Sequence, residues 1–110
     1  MKTVRLDDVY PDERERADES KVGRSALTLK GGGGQTLSQV LLTMNAGSQL
    51  ADHNNPGEAT LLVLSGEVTL GWADGSAQLK AGEYTVIPQT KHRLDAHADS
   101  VVLLSVARTG

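Results

Sequence analysis

Residues 53–72 read HNNPGEATLLVLSGEVTLGW. Two runs rich in Leu, Val and Thr, Ala59 to Leu64 and Glu67 to Trp72, flank the tight-turn signal Ser65-Gly66-Glu67. Each run is too short for an ordinary helix and rich in strand-forming residues, so the pair reads as two strands meeting at a turn.

The same grammar extends outward in both directions. Towards the C-terminus, Ser76 to Leu79, Tyr84 to Ile87, His92 to Ala96 and Ser100 to Ala107 are further strand candidates. They are separated by Ala73-Asp74-Gly75-Ser76, Lys80-Ala81-Gly82-Glu83 and Pro88-Gln89-Thr90-Lys91, all with turn chemistry. Towards the N-terminus, Ser25 to Lys30 and Thr36 to Asn45 flank Gly31-Gly32-Gly33-Gly34. That run suits a hairpin connection and not a phosphate loop, which needs a Lys-Ser/Thr pair opening a helix. Turn signals about every ten residues, with no long amphipathic helix after residue 24, predict an all-β sandwich or barrel. So many short strands need closure or a second sheet, because open apolar edges invite aggregation.

Composition agrees with one compact domain. The chain has 110 residues, 38% of them hydrophobic and 23% charged, and a formal net charge of −3. Neither disorder nor a basic field for nucleic acid is indicated. With no Cys, thiolate metal sites, disulfides and cysteine nucleophiles are excluded. No apolar run approaches the roughly 20 residues of a membrane helix, and residues 1–20 lack the apolar centre of a signal peptide, so a cytoplasmic location with no membrane partner is expected. Aromatic residues are only Tyr10, Trp72 and Tyr84, too few for a base-stacking platform.

Charge is concentrated at one end. Residues 1–24 hold 13 of the 25 charged side chains, of both signs. This reads as a solvated extension over residues 1–21, with a helical turn starting at Pro11, ahead of a barrel over residues 22–110.

Two stretches resemble the paired motifs of the cupin superfamily. The first motif reads G-x5-H-x-H-x3,4-E-x6-G in the family; here it meets Gly47, His53, Asn55, Ala59 and Gly66. The second, Gly then Pro then His, meets Gly82, Pro88 and His92, with its variable stretch one residue short of the long form. The resemblance covers about residues 36–105 and implies a single-domain double-stranded β-helix, a jelly-roll barrel of two antiparallel sheets. It also implies a homodimer, with an early strand such as Ser25 to Lys30 added to the partner's sheet.

The family's metal sites use two His and a Glu from the first motif and one His from the second. Two of these four positions are kept here, His53 and His92. Asn55 stands in place of the second His, and Ala59 in place of the Glu. Glu58 is one residue away, and in regular strand register it faces the opposite side unless a bulge turns it inward. Two imidazoles and an amide oxygen make a weak set for Zn, Ni, Mn or Fe. Two functional readings stay open. One is a small-molecule module whose pocket contains His53, Asn55 and His92, holding a small polar ligand with no metal or a weakly bound divalent one. The other is a metal-dependent enzyme of dioxygenase or isomerase type with His53 and His92 as ligands. A third use of the same residues is as satisfied polar groups of the core. His97 follows Asp95 in a hairpin and reads as exposed. No Ser lies in a nucleophile elbow, and Trp72 reads as a packing or interface residue.

Overall fold

A computed structural model describes residues 3–54 and 57–108. One helix, α1 (Leu6–Glu19), precedes nine strands: β1 (Arg24–Lys30), β2 (Leu37–Met44), β3 (Gln49–His53), β4 (Gly57–Ser65), β5 (Glu67–Trp72), β6 (Gly75–Lys80), β7 (Tyr84–Ile87), β8 (His92–Ala96) and β9 (Ser100–Arg108). They form two sheets, ordered β1-β2-β9-β4-β7 and β3-β8-β5-β6, with every pairing antiparallel. This is the expected all-β jelly roll.

Alternation of side chains builds the core between the sheets. In β4, Ala59, Leu61 and Val63 are buried while Glu58 is exposed. From the other strands Leu42, Met44, Leu70, Leu94 and Val102 meet them in one cluster. Leu, Val, Ile, Ala and Met fill this interior, and Trp72 packs against it.

The N-terminal segment is not a solvated extension. Residues 6–19 form a helix that packs on β1 and β2, with Glu13 and Ala17 buried beneath it. Pro11 lies inside the helix and not at its first position, at the loss of one backbone hydrogen bond. Polar anchors fix the helix. Ser25 Oγ is within 2.9 Å of Glu13 O and 3.1 Å of Glu13 Oε1, and Arg14 Nη1 donates to Asn45 Oδ1 at 2.6 Å. Asp7 and Asp8 in the first turn and Arg16 in the last complement the helix dipole. A charge-rich stretch thus docks because three or four of its polar groups meet partners on the sheet.

Helix docking makes β2 buried on both faces. Leu42 and Met44 belong to the barrel core, and their neighbours Leu41 and Thr43, which point the other way, are fully buried too. Thr43 Oγ1 has no hydrogen-bond partner there. An orphaned buried hydroxyl costs about 1–3 kcal/mol, so Thr43→Val, which keeps the shape and removes the hydroxyl, is expected to stabilise the domain by about 1 kcal/mol in urea unfolding. A loss of stability would mean that the hydroxyl is satisfied in solution.

Candidate functional site

Strand β8 organises the site, because alternation sends its even-numbered residues inward and its odd ones outward. His92, Leu94 and Ala96 are buried; Arg93 is exposed and Asp95 half-buried. On one side β8 pairs with β3, placing His53 opposite His92; on the other it pairs with β5, placing Trp72 opposite His92. His53, His92 and Trp72 therefore form one row across the sheet. No periodicity in the sequence announces this row, since it depends on a register shift between Leu50 and His53.

His92 is only 3% exposed. Its Nδ1 lies 2.8 Å from Thr90 O, so Nδ1–H donates to that carbonyl. This backbone contact, only two residues away, orients the imidazole. Among the described residues, Leu42, Leu50, Leu61, Leu70, Ile87, Leu94 and Leu104 line a void beside it. The void they leave is about 20 Å³, room for about one water.

The sequence positions expected in the pocket divide as follows. His92 is where the second motif puts it. His53 is its cross-strand partner by backbone register, but its side chain lies outside the described residues, as does the whole of Asn55. Ala59 faces the interior at 2% exposure and offers no donor. Glu58 faces outward and is exposed; pairings Glu58↔Ala107 and Ala59↔Val106 run without a break, and the irregularity of β4 comes later, between Val63 and Ser65. The bulge that would turn Glu58 inward is absent. Among the described residues no three His, Cys, Asp or Glu side chains cluster where a metal ion could sit. Of the motif positions whose side chains are described, His92 supplies an inward imidazole and Ala59 no donor. His97 is exposed, with Nε2 in contact with Thr69 Oγ1, and belongs to no nucleophilic constellation.

The family model for the cupin domain matches residues 40–107. No curated protein matches the chain. Among solved structures it is similar to a conserved protein of unknown function from Streptococcus pyogenes, at 23% identity and a TM-score of 0.74 over 83% of this chain and 79% of that one. An RmlC-like cupin from Desulfovibrio desulfuricans matches over 97% of this chain and 91% of its own, at 26% identity and a TM-score of 0.67. An acetylacetone dioxygenase from Acinetobacter johnsonii matches at 16% identity and a TM-score of 0.68, over 77% of this chain and 60% of its own. At these identities the first and third speak for the fold alone.

Proposed function

The chain belongs to the cupin-domain family, and on that premise we propose that it is a small-molecule-binding cupin whose pocket is built from His53, Asn55 and His92. It holds no metal, or one weakly bound divalent transition metal. The observation that supports this reading is the donor set: a buried, oriented imidazole at His92, with Ala59 on the inward position where a carboxylate would be needed. Since the void beside His92 has room for about one water, the ligand of this reading meets the His92 imidazole over an aliphatic floor. A small polar ligand with one apolar face suits that floor. A homodimer formed through the open edge of β1, in the cytoplasm, completes the reading; light scattering would then give twice the chain mass of 11.6 kDa.

The test joins two measurements on tag-free protein purified without chelator. Elemental mass spectrometry is expected to find far less than one transition metal per chain. Thermal-shift screening of small polar molecules with one apolar face is expected to find ligands that stabilise the wild type and not His92→Ala. A ligand at about 100 times its Kd adds about 2.7 kcal/mol, well above detection. Hits that stabilise both proteins equally would remove His92 from the pocket.

One observation favours the second reading, a metal-dependent enzyme of dioxygenase or isomerase type: the register sets two histidines opposite each other across β3 and β8. A full equivalent of metal, lost in His92→Ala, would establish that reading in place of the first.

A further inference from the structure

The outward residues of β8 line a different concavity from the one His92 serves. We infer that the outer face of the β3-β8-β5-β6 sheet carries a binding site for a small organic oxyanion, a carboxylate or a phosphate ester. The inference is independent of the barrel interior.

The groove measures about 490 Å³, within the range of small-molecule pockets, against about 20 Å³ beside His92. Two glycines give it depth. Gly71, paired with Arg93, has no side chain, and a Cβ there would come within 3.6 Å of Arg93 Nε. At the hairpin end, a Cβ on Gly75 would press to 3.2 Å against the Trp72 ring. The walls are the Trp72 hairpin on one side and Thr90 and Lys91 on the other.

The charged hydrogen-bonding capacity left open in this lining is donor, from Lys91 and Arg93, and the hydroxyls beside it can donate as well. Asp95 is its one carboxylate, and both its oxygens are engaged: Gln49 Nε2 donates to Oδ1 at 2.7 Å, and Arg93 Nε lies 3.5 Å from Oδ2. Gln49 and Asp95 therefore hold Arg93 by its Nε and leave the terminal guanidinium nitrogens to the groove. No hydrogen bond or ion pair among the described residues engages Ser76 Oγ, Thr90 Oγ1 or Lys91 Nζ. Two cations against one carboxylate make a local positive patch on a chain of net charge −3. A ligand that satisfies a guanidinium, an ammonium and two hydroxyls must be rich in acceptors and negatively charged. Thr90 belongs to both sites: it lines the groove, and its carbonyl accepts from His92.

The test titrates phenyl phosphate, benzoate and neutral benzyl alcohol into the full chain, following the amide signals of Gly71, Gly75 and Thr90 and the Trp72 indole N–H by NMR. Both oxyanions are expected to move these signals and the alcohol to leave them; the tighter of the two names the headgroup. Arg93→Gln should weaken binding about tenfold, Arg93→Lys by less, and Lys30→Gln, a cation on the other sheet, not at all. Unchanged melting temperatures would show that the exposed substitutions spare the fold. Equal binding by Arg93→Gln and wild type, or shifts spread over every surface cation, would mean an adventitious ion only and would overturn the proposal.

Discussion

Replacing Gly66 with alanine is expected to destabilise the domain by about 2–5 kcal/mol, the sum of a left-handed backbone cost and an overpacking cost. Gly66 has φ +88° at the turn between β4 and β5. A Cβ there would meet Ser100 Cα at 2.7 Å and press against Ser100 Oγ and Asp99 O. Ser100 cannot easily withdraw. It is fully buried, its hydroxyl donates to Ala98 O at 2.7 Å, and it accepts from Glu67 N at 3.1 Å. Gly82 supplies the control, because it has nearly the same φ, +86°, with nothing within 4 Å of its Cβ position. Gly82→Ala should therefore show the backbone term alone, about 1–2 kcal/mol. Urea unfolding of the two variants separates the terms. If Gly66→Ala loses no more than Gly82→Ala, the close approach of Ser100 is not what requires glycine at this turn.

β5, β7 and β8 follow the predicted segments residue for residue, because Leu, Val and Ile alternate with polar residues between glycine turns. β3 escaped, since Gln49-Leu50-Ala51-Asp52-His53 offers one large apolar residue and no visible alternation. Its strand character comes from pairing with β8, a non-local cause. α1 was misread for a related reason: only Glu13 and Ala17 of its residues are buried, so its docking rests on Ser25, Asn45 and other groups far along the chain. For the site, the resemblance to the cupin motifs pointed to His92 and to Ala59 where the family has a carboxylate, and both residues are buried on their strands. The aliphatic void beside His92, the row with Trp72 and the outward groove beneath Arg93 each require knowing which strands neighbour β8.

The missing donors give the second large effect. Ala59 points inward between Ile87 of β7 and Val106 of β9, both buried, so Ala59→Glu alone places a carboxylate among aliphatic side chains. An unpaired buried charge costs several kcal/mol, and the single variant is expected to be less stable than wild type by that order. The double variant N55H/A59E adds an imidazole at the other missing position and, with His53 and His92, restores the family's four-donor pattern. Without metal it should share the loss. With Mn, Ni or Zn it should recover, since metal that binds only the folded state adds about 4 kcal/mol at 1,000 times its Kd. About one equivalent should then survive gel filtration, where the wild type retains far less. Calorimetry of both proteins with and without metal decides the matter. A wild type that gains as much from metal as the double variant would show that His53, Asn55 and His92 already make a sufficient site, and the enzyme reading would displace the binding one. A double variant that folds but takes up no metal would place the obstacle in the leucine-lined interior, which would then have to open before any ion could reach His92. The expected result assigns the difference from metal-binding relatives to two side chains on a barrel that is otherwise competent, so that function here follows the site and not the fold.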